Sequence, residues 1–233
     1  MIKFFQNKLE VLAVMSERND NSMKLFIDSD LNLENRKRFF KKISISKRKI
    51  IAAEIVHGNK VEIVEEKSKE MIMGADGLIT KDNNVFLSVT IADCIPVFVW
   101  ESKAKIVGIA HCGWRGIISG IIENIIKKVI ESGGKVENIK IAMGPGINQC
   151  HFEIREDVLD KFNKFSEFVL ERDGKIFVDL KGIIKKQLSE LEINFRSIEN
   201  NSECTMENEQ KYFSFRKDKP EKVEAMVAII GMK

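Results

Sequence analysis

Two histidines and one cysteine, each in a short turn-prone motif, are the side chains of this chain best suited to carry chemistry. The 233 residues include only three histidines, and two of them lie in short motifs that contain glycine: His57 in 56–58 and His111 in 110–116. Cys94 lies between them in the sequence. Imidazole and thiolate are ligands that zinc accepts, and three protein ligands leave a fourth coordination position open for water or substrate. We therefore predict a zinc ion held by His57, Cys94 and His111.

The spacing of these residues fits a catalytic site better than a structural one. The three ligands are 37 and 17 positions apart, which matches no zinc finger. If the strand that ends at His111 is extended, His111 and Cys112 point to opposite faces, so Cys112 is predicted to lie in the core. A simpler interpretation stays open, since a histidine beside a glycine can cap a turn and a buried cysteine often acts as a small hydrophobe.

Two glycine-containing segments are candidates for binding an anionic substrate. The segment 113–116 leads into an isoleucine-rich stretch, 117–130, whose spacing predicts a helix. Free backbone N–H groups at a helix start, together with Arg115 and Gly116, would bind phosphate or a substrate oxyanion. Gly144, in the loop 144–146, would bring backbone close to a ligand. The alternatives are that Arg115 packs across Trp114 at the surface and that the Gly144 loop is an ordinary tight turn.

A thiol nucleophile is the main alternative to a metal. A cysteine paired with a histidine base can attack a carbonyl, and Cys94 with His111 would form such a pair in a metal-free cysteine hydrolase. Cys150 and His151 are a second candidate pair. Neighbours in sequence rarely form a productive hydrogen bond, so Cys94 with His111 is the better of the two.

The order of predicted elements indicates an α+β fold, a single domain over 1–233 with mixed β-sheets packed against helices. The stretch 106–110 is too apolar to be half exposed, so it is predicted to lie in the middle of a sheet. Other strands are predicted at 49–56, 60–65, 84–91, 95–100, 139–143, 176–180, 195–198 and 223–230, with a short opening hairpin and further helices at 33–42, 155–168 and 182–191.

Composition excludes several classes of function. The formal net charge is +3 from 38 basic and 35 acidic residues, and basic runs are short, so no nucleic-acid partner is expected. No stretch approaches the roughly 18 apolar residues of a membrane span, and the first ten residues do not resemble a signal peptide. Four cysteines without a CxxC pair are expected to be free thiols or ligands, which favours a cytoplasmic protein.

Several motifs together resemble the laccase-domain family, also called multicopper polyphenol oxidase-like or purine nucleoside phosphorylase proteins. The resemblance covers nearly the whole chain, and Ile55 stands where the family usually has glutamine. The motifs that carry it are Val56–Gly58, Gly74–Gly77, Ala92–Pro96, Ala110–Gly116, Gly144–Ile147, Val178–Leu180, Cys204–Thr205 and Phe213–Asp218.

This resemblance implies an α+β fold and a zinc ion held at His57, Cys94 and His111. It also implies that purine nucleosides and phosphate are the substrates: phosphorolysis of adenosine, inosine, guanosine and methylthioadenosine, and deamination of adenosine. Such chemistry needs an acid/base group, for which Asp93 and, less strongly, Glu153 are candidates. Arg115 and the following helix start would hold the phosphate.

Two further interpretations are kept. A copper-dependent polyphenol oxidase needs a blue copper and a trinuclear cluster, and three histidines cannot supply both, so copper at this site would be a single adventitious ion. The chain can also be a non-enzymatic partner protein in which the site is vestigial. The oligomeric state is left open.

Overall fold

Two six-stranded sheets form the centre of the protein. The computed structural model describes residues 1–25, 30–219, 221 and 223–233. Strand order in the first sheet is β1-β2-β15-β7-β3-β5, with β3 parallel to both neighbours and the remaining pairs antiparallel. Its strands are β1 (Ile2–Phe4), β2 (Val11–Met15), β3 (Lys49–Ala53), β5 (Met71–Ile72), β7 (Val85–Ile91) and β15 (Met226–Met232).

The second sheet has the order β14-β10-β8-β9-β6-β4, and its two outer pairs are parallel. Its strands are β4 (Val61–Ile63), β6 (Gly77–Thr80), β8 (Ile95–Glu101), β9 (Ile106–Cys112), β10 (Ile139–Met143) and β14 (Ile198–Asn200). A small third sheet has the order β11-β13-β12, from β11 (Glu153–Ile154), β12 (Val169–Arg172) and β13 (Lys175–Val178).

Alternation along the strands explains how the sheets stack. Successive side chains of a strand point to opposite faces. In β8, Val97 and Val99 enter one hydrophobic cluster, whereas Phe98 and Trp100 enter another between the two large sheets. All seven residues of β8 are buried because both faces of this strand are covered.

Helices close the two outer faces. On the second sheet lie α2 (Trp114–Ile118), α3 (Ile121–Glu131) and α5 (Leu180–Glu190), and α1 (Asp30–Lys42) packs against the first sheet. Two four-residue helices, α4 (Glu156–Leu159) and α6 (Phe215–Asp218), complete the set. The described residues thus form one domain of four layers, helix, sheet, sheet and helix, which confirms the α+β prediction. None of the described helices is long and apolar enough to cross a bilayer.

Three predicted elements differ from the structure. The isoleucine-rich helix is two helices, because Gly120 adopts φ +89°, a left-handed conformation that interrupts α2 before α3 begins. Only the first turn of 155–168 is α-helical; the remainder, 160–168, is 3₁₀-like and kinked at Phe165. The predicted strand at 195–198 is a 3₁₀ turn over Phe195–Ser197, followed by β14.

Candidate metal centre

The three predicted ligands meet at one end of the two large sheets. His57 lies in the loop after β3, Cys94 in the turn between β7 and β8, and His111 near the end of β9. Their ligand atoms all lie within 4.8 Å of one another. The two imidazole rings are 5.0 Å apart between centroids and nearly perpendicular, at 83°. Three distant parts of the sequence therefore supply one compact group of nitrogen and sulfur ligands.

Asp76, directly before β6, holds two of these ligands in place. Its carboxylate is fully buried and accepts a hydrogen bond from His111 Nδ1 at 3.1 Å. The same carboxylate accepts backbone N–H groups of Val56 (3.3 Å), His57 (2.9 Å) and Gly58 (2.8 Å). Because Nδ1 of His111 is engaged, Nε2 is left to face Cys94. A carboxylate behind a metal-binding histidine is a common arrangement that fixes the ring and its tautomer.

Two glycines make the close packing around the ligands possible. A Cβ atom on Gly116 would lie 2.6 Å from the carbonyl oxygen of Gly58, so only glycine lets α2 approach the loop of His57. A Cβ atom on Gly113 would lie 3.1 Å from Cys94 Sγ and 3.3 Å from the His57 ring. Gly113 thus leaves space beside the ligands, and Gly116 sets the position of the His57 loop.

Neighbouring charges favour the ionised form of the Cys94 thiol. Burial alone would raise the pKa of Cys94, but the charge and hydrogen bonds of His111 and His57 outweigh it and lower the pKa to about 6. Burial opposes the charged form of His111, yet Cys94 and Asp76 raise the pKa of His111 to about 9. Asp76 itself is buried, which raises its pKa, but the bonds from His111, Gly58 and Val56 leave that pKa below its usual value.

The donor set fits a zinc ion. Around tetrahedral zinc, with bonds of about 2.0–2.3 Å, neighbouring ligand atoms are roughly 3.3–3.8 Å apart. Ligand atoms already within 4.8 Å of one another reach that spacing by small side-chain rotations. Two imidazoles and one thiolate also suit copper, so the donor set indicates a borderline or soft metal and excludes magnesium and calcium.

A cavity of about 380 Å³ opens over the ligands, within the size range of small-molecule sites. Its walls combine aromatic and apolar side chains with three cations. It is lined by the three ligands and by Lys24, Ile55, Thr90, Ala92, Asp93, Gly113, Trp114, Arg115, Ile147, Phe152, Leu180, Phe215, Arg216, Val223 and Ala225. A larger depression of about 580 Å³, beside β4 and β6, includes no histidine or cysteine.

Arg115 and Asp93 both line this cavity. The Arg115 guanidinium lies 4.4 Å from the Trp114 ring centroid, in the stacked position that was the alternative to anion binding. Asp93 has φ +81°, and its two carboxylate oxygens accept hydrogen bonds from Thr205 Oγ1 (2.6 Å) and Arg216 N (2.7 Å). Asp93 thus ties the turn that carries Cys94 to the C-terminal part of the chain.

The structure does not bring Glu153, Gly116 or Gly144 into the cavity wall. The Glu153 carboxylate pairs with Lys175 Nζ at 3.1 Å, and only its backbone oxygen reaches the cavity region, through Arg216 Nη1 at 2.8 Å. Gly144 is buried, and a Cβ atom there would lie 2.6 Å from the Pro96 side chain. Cys112 is fully buried in the core, as its predicted orientation required.

Sequence reasoning missed several residues of the site. Asp76 lies in the motif 74–77, but no role was predicted for it. Its position between an alanine and a glycine, directly before a strand, was the only sequence signal that could have indicated one. Lys24 and Phe152 carry no local signal, since only the fold brings them to the cavity. Phe215 and Arg216 belong to the motif 213–218, which contributed to the family resemblance, but no role was predicted for them in the site. Both line the cavity.

Comparison with known proteins gives consistent results. The family described as "Multi-copper polyphenol oxidoreductase laccase" matches residues 27–233. "Purine nucleoside phosphorylase RC0672" of Rickettsia conorii is 34% identical over 168 residues, covering 70% of this chain and 68% of that protein. "Adenosine deaminase RL5", from an unknown prokaryotic organism, is 25% identical over 214 residues, covering 89% of this chain and 78% of that protein.

The solved structure of the hypothetical protein YfiH from Bacillus licheniformis superposes with a TM-score of 0.89, at 25% identity, covering 96% of this chain and 93% of that one. The whole architecture is therefore shared, sheets and helices together. With a family match over 207 of its 233 residues, this chain belongs to the family described as multi-copper polyphenol oxidoreductase laccase.

Proposed function

We propose that this protein is a zinc-dependent purine nucleoside phosphorylase that cleaves adenosine, inosine, guanosine and methylthioadenosine and also deaminates adenosine. The observation that carries the proposal is the group His57, Cys94 and His111 at the base of a 380 Å³ cavity. The names of the relatives, purine nucleoside phosphorylase and adenosine deaminase, support the same two reactions.

Aromatic side chains give the cavity a surface for a purine base. Trp114, Phe152 and Phe215 line it, and Phe215 is 54% exposed, so its ring is free to contact a ligand. Flat aromatic faces hold a heterocycle by offset or edge-to-face packing. Ile55 adds an apolar contact at the same wall. We propose that the base lies among these rings, with its reacting carbon toward the histidines.

Three cations supply the charge that a phosphate co-substrate needs. Arg216 is already fixed, since its Nη1 donates to Glu153 O and its guanidinium lies 5.5 Å from the Phe152 ring centroid. Burial lowers the pKa of Lys24, and the Cys94 thiolate partly opposes that shift. Arg115 is exposed, so it can leave its stacked position and pair with phosphate oxygens. We propose Arg115 as the main phosphate-binding residue.

The chain's own groups prepare the site for metal-assisted attack. A bound zinc ion supplies Lewis-acid chemistry, which polarises substrate groups and lowers the pKa of water. Asp76 orients the His111 ring, and Gly113 leaves room for substrate beside the ligands. Asp93, beside Cys94 and in the cavity wall, is the proposed proton acceptor; Glu153 is the weaker candidate because its carboxylate pairs with Lys175.

The test is product analysis of adenosine by liquid chromatography, with and without phosphate. We expect adenine only when phosphate is present, and inosine under both conditions, with part of that inosine cleaved to hypoxanthine when phosphate is present. The absence of both adenine and inosine or hypoxanthine rejects the proposal. Cys94→Ala should lose both products and the zinc ion held by His57, Cys94 and His111. Cys112→Ala, a matched change of a buried cysteine in the core, should keep both products and the bound zinc ion. His111→Ala should behave like Cys94→Ala.

A metal-free cysteine hydrolase is the second candidate, because Cys94, His111 and Asp76 follow one another as nucleophile, base and orienting carboxylate. The pKa of Cys94, lowered to about 6, suits a thiolate nucleophile. Zinc bound at one ion per site argues against this candidate. Rapid alkylation of Cys94 in metal-free protein, together with ester hydrolysis that survives chelation, would support it over the zinc enzyme.

The remaining assignments follow from the same observations. All four cysteines are free thiols, which supports a place in the reducing cytoplasm. A purine nucleoside and phosphate are the proposed partners, with no role for nucleic acid. Copper at the three ligands would be a single ion, so phenol oxidation per chain should be slow compared with nucleoside turnover. A fast copper-dependent phenol oxidation would overturn that expectation.

A further inference from the structure

Cys150, His151 and Cys204 form a second group of metal-binding side chains, outside the cavity and unused by the proposed reactions. Their ligand atoms all lie within 4.8 Å of one another. His151 Nδ1 is 3.0 Å from Cys150 Sγ and 3.6 Å from Cys204 Sγ. Contrary to the expectation for sequence neighbours, Cys150 and His151 are within hydrogen-bond distance, since both face Cys204.

Backbone contacts hold the two segments that carry these residues side by side. Cys204 forms an isolated parallel bridge with Gly146, and Thr205 N donates to Gly146 O at 3.1 Å. Asn148 N donates to Cys204 Sγ at 3.4 Å. Residues 148–151 form a turn in which His151 N donates to Asn148 O at 3.0 Å. The three ligand atoms are therefore brought together by the backbone before any ion is present.

The geometry of the group suits a tetrahedral ion with two sulfur ligands and one nitrogen ligand. Around zinc, a sulfur and a nitrogen are about 3.5 Å apart and two sulfurs about 3.8 Å. The two sulfur–nitrogen distances, 3.0 and 3.6 Å, bracket the first value. Cys204 is 1% exposed, whereas Cys150 lies at the surface, so an ion has a path in and a fourth position open to solvent.

We propose that Cys150, His151 and Cys204 bind a second zinc ion, with solvent as its fourth ligand. On binding, each of the two thiols releases its proton to solvent and each sulfur donates an electron pair to the ion, so no oxidant or reductant is required. The two thiolates neutralise the charge of the ion, and neutral His151 completes the set.

This second ion would brace one wall of the cavity. Thr205, next to Cys204, donates to the Asp93 carboxylate at 2.6 Å, and Asp93 precedes the ligand Cys94. On the other side of the group, Phe152 follows His151 and lines the cavity. The ion would therefore join the two segments that position Phe152 and Asp93, and its role is structural.

The experiment uses variants in which the first site lacks its sulfur. Full-length Cys94→Ala protein, kept reduced, is equilibrated with Zn²⁺, freed of unbound metal and analysed for metal content. We expect two zinc ions per chain in the wild type, one in Cys94→Ala, and none in Cys94→Ala/Cys150→Ala. Cys112→Ala, the matched control, should keep two. Because Cys150 is exposed, its replacement leaves the core intact.

Co²⁺ loading provides an independent readout. In Cys94→Ala the first site has only imidazole ligands, so any thiolate-to-cobalt absorption comes from the second group. We expect that absorption in Cys94→Ala and its loss in Cys94→Ala/Cys150→Ala, and a weakened band in Cys94→Ala/His151→Phe. Failure of Cys94→Ala to hold zinc or show the band overturns the proposal. So does metal retained without Cys150, or a Cys150–Cys204 disulfide that persists under the reducing conditions of the assay.

Discussion

Replacing Asp76 by asparagine is the perturbation that tests the architecture of the metal centre most directly. The carboxylate accepts four hydrogen bonds, from the His111 ring and from the backbone of Val56, His57 and Gly58. An asparagine keeps one acceptor oxygen and turns an NH₂ group toward the remaining donors. Two ligands, His57 and His111, therefore lose their support together, although neither is itself changed.

The size of the effect follows from these contacts. Loss of a carboxylate behind a metal-binding histidine typically weakens metal affinity about 10–100-fold. Because Asp76 supports two of three ligands, we expect the upper end, roughly 100-fold or about 2.7 kcal/mol of binding free energy. Hydrogen bonds to a charged group contribute about 1.5–3 kcal/mol each, so the free energy of unfolding should also fall, by about 3 kcal/mol.

The assay is zinc affinity, measured by competition with a chelating indicator in a Cys150→Ala background that leaves only the first site. Asp82→Asn is the matched control: Asp82 also accepts two backbone N–H groups, from Glu66 and Asn84, but in a turn remote from the ligands. Its zinc affinity should equal that of the parent. If folded Asp76→Asn protein binds zinc as tightly as the parent, Asp76 does not position the ligands and the reasoning fails.

Three further predictions concern the cavity and its surroundings. Phe215→Ala should raise the KM for nucleosides about 5–30-fold, because about 1–2 kcal/mol of stacking free energy is lost. Phe195→Ala is the control: its ring is 72% exposed and lies outside the cavity, so this change should leave the KM unchanged. Arg115→Met should raise the KM for phosphate and spare deamination, with exposed Arg155→Met as control; equal losses in both reactions would contradict a phosphate role. Burial lowers the pKa of Lys181 from 10.5 to about 8, so the folded state binds this proton less readily than the unfolded state. The destabilisation caused by charged Lys181 is therefore complete below pH 8 and disappears as the pH rises to 10.5. Over that interval, urea unfolding should show the free energy of unfolding of the wild type rising by about 3 kcal/mol relative to that of Lys181→Met. If the two proteins give parallel curves of stability against pH, this prediction is wrong.

Much of the central fold could be predicted from hydrophobic patterning. The continuous apolar run of β9 indicated a strand covered on both faces, and it lies between β8 and β6 in the second sheet. The break between α2 and α3 was not predicted because the helical spacing of the isoleucines continues across it. One glycine in a left-handed conformation ends α2 without changing that spacing. The prediction of one helix over 155–168 was wrong for a similar reason. The apolar residues of this segment have helical spacing, but the backbone dihedral angles of Phe165 are not helical.

The site was only partly accessible to sequence reasoning. Residue chemistry grouped His57, Cys94 and His111, whose ligand atoms the structure places within 4.8 Å of one another, because scarce histidines and a cysteine beside turn residues are informative by type. The environment of each ligand was not accessible, since Asp76 acts through hydrogen bonds whose partners lie up to 35 positions away. Arg115 shows the opposite limit: its type indicates anion binding, but its stacking on Trp114 depends on a local rotamer.

The distance in sequence between the three ligands links metal supply to survival of the fold. An extended chain separates positions 57, 94 and 111 too widely to chelate one ion well, so a zinc ion held as proposed would bind the native state far better than the unfolded chain. By mass action, free zinc at 100 times its dissociation constant adds about 2.7 kcal/mol to the free energy of unfolding. Starvation for zinc would then reduce the amount of intact protein in addition to the activity of each molecule.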